Sequence, residues 1–144
     1  LVEQIIESGH IIGNHTYHHP NTHISFRDLL REIKKCQDII NSICGVNPVL
    51  FRPPRGIVSH QMLLGACLYN LRTVLWSNEG GEWGYASEDD EDTIGSRLSS
   101  SLRPQDIVLL HDNNHKVPNI LKNVLRSSHS RNVDFRNGIG YLTM

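Results

Sequence analysis

Short apolar segments typical of strands alternate with amphipathic helical segments along most of the chain. The sequence predicts helices at 1–8, 26–43, 60–68, 92–102 and 118–128. It predicts strands at 10–12, 49–51, 72–76 and 106–110. Such alternation indicates a parallel sheet, open or closed into a barrel, because parallel strands need long connections that are usually helical. We therefore predict an α/β fold, and the length of 144 residues favours a single domain over 1–144.

Capping residues suggest where the helices begin. Ser25, Ser59 and Asp92 are good N-caps, and Pro118 suits the first position of a helix. The segment 77–91 is polar and contains glycine, so it is predicted as a loop. The cysteines Cys36, Cys44 and Cys67 are an odd number without a C-x-x-C spacing, and we expect them to be small buried apolar residues.

Ionisable side chains follow the predicted strands where each strand ends. In α/β barrels and doubly wound sheets, this edge is where active sites are built. The pattern alone therefore predicts an active site at the carboxyl edge of the sheet. The residues are His15, His19, Arg52, Glu79, Glu82 and His111.

His15 and His19 lie four positions apart in a segment with three histidines within five positions, 15–19. One helical turn or a tight loop could direct both imidazoles at one point, and neutral imidazole is a good zinc ligand. The pair alone is weak evidence, since histidine makes up 9 of 144 residues. A polar loop with surface histidines would have the same pattern.

Four segments, at 9–20, 51–56, 76–83 and 107–112, resemble the motifs of the polysaccharide deacetylases, which form carbohydrate esterase family four. The first segment contains Asn14, His15 and Thr16, and it ends with His19 and Pro20. The others read Phe-Arg-Pro-Pro-x-Gly, Trp-Ser-x-x-x-x-Glu-Trp and Ile-Val-Leu-Leu-His-Asp. They occur in the order found in that family, whose fold is a distorted (β/α) barrel.

The resemblance implies a metal-dependent hydrolase of carbohydrate metabolism. It would remove acetyl groups from N-acetylated or O-acetylated oligo- or polysaccharide. His15 and His19 would bind zinc or another divalent metal, which would polarise the carbonyl and the attacking water.

The resemblance also implies roles for residues of the later motifs. His111 would be the general acid that protonates the leaving amine, and Arg52 would hold a catalytic carboxylate. The backbone N–H of Arg55 would help to hold the oxyanion, although the family commonly has an aromatic residue there. Glu82 would tune His111, and Trp83 would contact substrate. The family usually has Asp where Glu82 stands, and the extra methylene moves the carboxylate by about one ångström or more.

The family's first motif, a Thr-Phe-Asp-Asp strand that supplies the general base and the third metal ligand, has no counterpart in this sequence. We therefore expect an incomplete barrel, truncated at its N-terminus and without the last helix. His18, His23 or water could replace the missing ligand, although both histidines fit loop positions better. The missing strand would expose a sheet edge that favours pairing with a second chain.

Other classes of function are disfavoured. The formal net charge is −1, without a basic stripe for nucleic acid. No apolar run is long enough to cross a membrane. No signal peptide is visible, although members of the family are often secreted or at the cell envelope, and the compartment is not predicted.

Two alternatives to an active deacetylase remain open. One is a catalytically impaired remnant that keeps the fold and binds metal or glycan. The other is a related barrel hydrolase that acts on a cyclic imide or ureide. The sequence does not indicate which glycan, which metal or which oligomeric state applies.

Overall fold

The computed structural model describes residues 1–21, 23–130 and 135, and the side chains of 128–130 are not described. The described residues combine helices with parallel strands, which agrees with the predicted α/β class. The helices are α1 (Val2–Glu7), α2 (Phe26–Cys44), α3 (His60–Leu68), α4 (Glu91–Ser101) and α5 (Val117–Ser130). The strands are β1 (Leu50–Phe51), β2 (Arg72–Thr73), β3 (Asn78–Glu79) and β4 (Val108–Leu109), with a 3₁₀ turn at Pro54–Gly56.

The described part of the chain folds as two compact units, one over Leu1–Leu75 and one that begins at Trp76. The first unit contains a two-stranded parallel sheet in which Leu50 of β1 is opposite Arg72 of β2. The second contains another parallel pair, with Asn78 of β3 opposite Val108 of β4. The described strands form these two short sheets and no closed barrel, so the predicted barrel is present only in part.

The first core forms beneath α2. Ser25 caps this helix by accepting the N–H of Asp28 at 3.1 Å, as predicted. Leu29 and Ile33 recur on one helical face and are fully buried. Each such side chain contributes about 1.5–3 kcal/mol by leaving water. The core consists of Leu29, Ile33, Phe51, Met62, Ala66 and Leu71.

The second core lies where α4 packs against α5. Gly95 of α4 permits close approach, because a Cβ at this position would lie 2.9 Å from the Cβ of Asn123. The core consists of Ala86, Ile94, Leu98, Leu102, Ile120 and Val124. Val108 and Leu110 of the β4 region pack against it, so this core also supports the end of β4.

Several local predictions are wrong. Segment 10–12 is not a strand; Asn14 instead forms a single parallel bridge with Phe51. The predicted loop 77–91 contains β3, because its backbone pairs with β4. Asp90, and not Asp92, caps α4 by accepting the N–H of Thr93.

The remaining differences are small. Pro118 is the second residue of α5, not the first. Cys36 is buried as predicted, whereas Cys44 is half-buried and Cys67 is exposed. No described helix has the length and apolar character needed to cross a membrane.

Candidate functional site

Asn14 anchors the segment that carries the histidines, here called the histidine loop (residues 14–19). Its side chain is 1% exposed. The amide Nδ2 donates to the carbonyl of Ile33 at 2.9 Å and to Gln37 Oε1 at 3.0 Å. Its Oδ1 accepts the N–H of Thr16 at 2.9 Å. Both donors and the acceptor are thus satisfied, which fixes the start of the loop against α2.

His15 is held in one tautomer by the backbone after β1. Its Nδ1 lies 2.6 Å from the carbonyl oxygen of Arg52. A carbonyl only accepts, so Nδ1 must carry the proton and the lone pair of the neutral ring is on Nε2. Metal-binding histidines typically donate their second ring nitrogen to a carbonyl or carboxylate in this way. The donor chemistry of His15 therefore fits a metal ligand.

The structure places His19 beside His15, as the four-residue spacing predicts. Their ring centroids are 4.9 Å apart in an edge-to-face arrangement. Thr16 and His19 have φ angles of 65° and 51°, in the left-handed region that residues other than glycine rarely adopt. Such conformations cost about 1–3 kcal/mol each and persist only where the surroundings hold them.

The metal-ligand roles predicted for His15 and His19 are not tested by a set of further ligands around them. Within 1–21, 23–130 and 135, no group of three or more His, Cys, Asp or Glu side chains could hold a metal ion. Binding of a metal ion by His15 and His19 therefore stays a prediction, which the tautomer of His15 and the closeness of the two rings support. His23 is exposed, and His18 has its Nδ1 committed to another residue.

That residue is Glu32 of α2, which the sequence analysis did not identify. Its Oε1 accepts from His18 Nδ1 at 2.7 Å, and its Oε2 accepts the backbone N–H groups of Tyr17 and His18 at 3.1 and 2.7 Å. Burial alone would raise the pKa of Glu32, but the hydrogen bonds from the side chain and backbone of His18 lower it below 4.5. No sequence signal marks Glu32, because α2 contains many other charged residues.

Arg52 follows β1 and lies at the carboxyl end of the first sheet. Its Nε and Nη2 donate to the carbonyls of Val74 and Leu75 at 3.3 and 3.4 Å, just beyond β2. Burial lowers the pKa of the guanidinium below its ordinary value. The arginine is therefore fixed at the sheet edge, and its role in holding a carboxylate stays a prediction.

Arg55 lies in the turn that follows. Its φ is 58° within the 3₁₀ turn, and its side chain is exposed. Pro53 and Pro54 have no backbone N–H, so Arg55 supplies the first backbone donor after Arg52. This turn geometry agrees with the predicted use of the Arg55 N–H and does not itself test it.

In the second unit, Glu82 and His111 form a hydrogen-bonded pair just beyond β3 and β4. Because these strands are parallel, their carboxyl ends share one edge of the sheet. The side chain of Glu82 is 1% exposed, and its Oε1 lies 2.9 Å from Nδ1 of His111. Nδ1 therefore donates to the carboxylate, which leaves Nε2 for proton transfer. Glutamate thus reaches the histidine at a position where the family usually has aspartate.

Trp83 is an exposed aromatic residue beside this pair, and Tyr85 is a second exposed aromatic residue of the same loop. Trp83 is 57% exposed, and its ring lies edge-to-face with His111 at 5.9 Å between centroids. Its Nε1 donates to Asn113 Oδ1 at 3.1 Å. Tyr85 is 72% exposed. Glu79, by contrast, accepts from Nε1 of Trp76 and does not join the pair.

Sequence and structure comparisons both match known deacetylases. A family model described as polysaccharide deacetylase matches residues 1–74. The peptidoglycan-N-acetylglucosamine deacetylase of Bacillus cereus is 33% identical over 112 residues, covering 77% of this chain and 40% of that protein. A chitooligosaccharide deacetylase of Azorhizobium caulinodans is 37% identical over 106 residues, covering 72% of this chain and 49% of that protein. The chain therefore spans less than half the length of either relative.

Comparison with solved structures agrees with the sequence matches. The family 4 carbohydrate esterase from Streptomyces lividans, solved in complex with acetate, matches with a TM-score of 0.82 at 24% identity. The match covers 90% of this chain and 66% of that one. At this level of identity the comparison establishes likeness of fold.

Proposed function

Because the chain belongs to the polysaccharide deacetylase family, we propose that it hydrolyses acetyl groups from N-acetylated or O-acetylated carbohydrate. The observation that carries this proposal is the pairing of Glu82 with Nδ1 of His111, which prepares Nε2 for proton transfer. The names of the relatives, which act on peptidoglycan N-acetylglucosamine and on chitooligosaccharide, support acetylated amino sugars as the substrate class.

His111 would act as the general acid. Hydrolysis adds water to the acetyl carbon, breaks the C–N bond and releases acetate and the free amine. The amine leaves only when its nitrogen receives a proton, and His111 would deliver this proton from Nε2. Glu82 would stabilise the imidazolium before transfer and hold the ring in the required tautomer.

His15 and His19 would hold a zinc or other divalent ion. Such an ion, when bound, polarises the acyl carbonyl and lowers the pKa of a coordinated water. The donation from His15 Nδ1 to the Arg52 carbonyl supports this assignment, because it directs the lone pair to Nε2. Arg52 would position the catalytic carboxylate of the family's first motif, which has no counterpart in the given sequence. The N–H of Arg55 would donate to the oxyanion.

Trp83 would bind the sugar ring. Its exposed indole offers a flat apolar face, and its hydrogen bond to Asn113 fixes the orientation of that face. Its edge-to-face contact with His111 would place this surface beside the group that donates the proton.

An acetate-release assay tests the proposal. The substrates are chitin oligomers, peptidoglycan fragments and acetylxylan, each with and without added zinc after treatment with a chelator. We expect zinc-dependent acetate release, with a loss of about 10²–10⁴-fold in His111→Gln. His60→Gln, a change at an exposed histidine of α3, is the matched control and should retain activity.

Other outcomes would point elsewhere. Zinc binding without acetate release would favour a catalytically impaired member of the family. Turnover of a cyclic imide or ureide, with no action on the glycans, would favour a related amide hydrolase. Equal activity in His111→Gln and the unmutated chain would contradict the role of His111.

A further inference from the structure

The carboxylate of Glu32 receives three hydrogen bonds from two consecutive residues of the histidine loop. Both of its oxygens are used: Oε1 accepts from the ring of His18, and Oε2 accepts two backbone N–H groups, from Tyr17 and His18. The side chain is only 14% exposed. Hydrogen bonds to an ionised, largely buried carboxylate are stronger than those between neutral groups. Glu32 therefore constrains the backbone as well as a side chain.

These bonds act between the two strained positions of the loop. Thr16 and His19, with positive φ angles, flank the residues that Glu32 holds. Asn14 fixes the start of the loop, and the bonds to Glu32 hold its centre. Lys35 adds a second contact from α2, with its ammonium 3.7 Å from the centroid of the Tyr17 ring. The face of α2 is thus a platform for the loop.

We infer that Glu32 is a positioning residue that holds the histidine loop in its metal-binding conformation and thereby sets its affinity for a divalent metal. The inference rests on the proposed function, which assigns His15 and His19 as ligands. His15 is already fixed through Arg52, whereas His19 directly follows the residue that Glu32 binds. Loss of Glu32 should therefore release His19. A metal ion would then have to order the histidine loop when it binds, which would weaken its affinity.

The test compares zinc affinity, measured by calorimetry, in the unmutated chain and in Glu32→Gln and Glu32→Asp. Glutamine keeps the size but has one acceptor oxygen in place of two, and aspartate keeps the charge on a shorter side chain. Loss of partners that orient metal ligands typically weakens binding 10–100-fold, and we expect a loss of about this size for glutamine. Aspartate should give an intermediate loss. Asp38→Asn, at an exposed carboxylate of α2 paired with Lys34, is the control and should bind normally.

A second readout needs no metal and no activity. Amide hydrogen exchange in the metal-free protein should show protected N–H groups at Tyr17 and His18 that exchange faster in Glu32→Gln. Repeating the zinc titration at about 0.5 M salt separates positioning from simple charge attraction, since salt screens the latter. The loss of zinc affinity in Glu32→Gln should persist at high salt.

Three results would overturn the inference, and they differ in what they imply for the proposed function. If zinc binding depends on His15 and Glu32→Gln binds as tightly as the unmutated chain, the inference fails and the proposed function stands. If the unmutated chain shows no zinc binding that His15→Ala removes, the metal assignment of the proposed function fails and the inference fails with it. A loss that disappears at high salt would also overturn positioning. Glu32→Asp keeps the test available if the glutamine variant does not fold.

Discussion

His111 donates both its backbone N–H and its Nδ1–H to a single oxygen of Glu82, at 2.8 and 2.9 Å. The carboxylate is buried, while the imidazole is 42% exposed on its side chain. One end of the histidine is therefore fixed inside the second unit and the other faces outward. This arrangement suits a group that must keep one tautomer and still exchange protons with a substrate.

Shortening Glu82 tests this relationship. Glu82→Asp should withdraw the carboxylate by about one bond length, roughly 1.5 Å, and weaken its hold on Nδ1. We expect kcat to fall by about 10²-fold, with a much smaller change in KM. The measurement is steady-state acetate release. Glu88→Asp, an exposed glutamate of the same loop, is the control, and a faster rate in Glu82→Asp would contradict the geometry described here.

Asn14→Ala should destabilise the first unit. The change removes the hydrogen bonds with Ile33, Gln37 and Thr16 and leaves the buried N–H of Thr16 without this acceptor. Leaving such groups unsatisfied costs about 1–3 kcal/mol, which we expect as the loss in the free energy of unfolding in urea. Asn41→Ala removes one exposed side-chain contact and should change it by less than about 0.5 kcal/mol. Similar values for the two variants would contradict the anchoring role of Asn14.

Gly95→Ala should destabilise the second unit despite the better helix propensity of alanine. The new Cβ would lie 2.9 Å from the Cβ of Asn123, and the two helices cannot yield cheaply at a backbone-proximal atom. Overpacking of this kind costs about 1–3 kcal/mol in the free energy of unfolding. Gly84→Ala is the control, because nothing lies within 4 Å of its added Cβ. No difference between the two variants in thermal or urea unfolding would contradict the close packing of α4 on α5.

The stabilising effect of Glu32 should depend on pH. Its folded pKa is lowered below the ordinary 4.5, so its contribution is complete above the unfolded pKa and is lost as the pH falls through the folded value. The gap in unfolding free energy between the unmutated chain and Glu32→Gln should therefore narrow as the pH falls from about 5 toward about 3. Urea unfolding of both proteins at a series of pH values measures this difference in free energy. A gap that widens on acidification would mean that the folded pKa is raised.

Local patterns predicted much of the scaffold. The buried stripe of Leu29 and Ile33 and the cap at Ser25 specify α2 from adjacent residues, and the structure agrees. The strand β3 could not be predicted in this way, because Asn78 and Glu79 have no apolar pattern. They become a strand only by pairing with β4, some thirty residues along the chain.

The candidate site residues differ in the same way, since some could be predicted from nearby residues and others depend on packing between distant parts of the chain. His15 and His19 are close in sequence, and their spacing predicted that they would meet. Glu32 lies fourteen residues from His18 on a helix rich in charged residues, where one more glutamate looks like a solvated surface group. Only the packing of the loop onto α2 distinguishes it from Asp38, which pairs with Lys34 in solvent.

The burial of Asn14 has a consequence for covalent modification. Asn14, His15 and Thr16 form an Asn-x-Thr sequon, which glycosylating compartments modify on accessible asparagine amides. The Nδ2 atom that would carry the glycan is the one that donates to Ile33 and Gln37 in the folded chain. Folding and glycosylation therefore compete for one nitrogen atom. In such a compartment, a chain modified before it folds would lose the anchor of its histidine loop, and a chain that folds first would be protected from the modification.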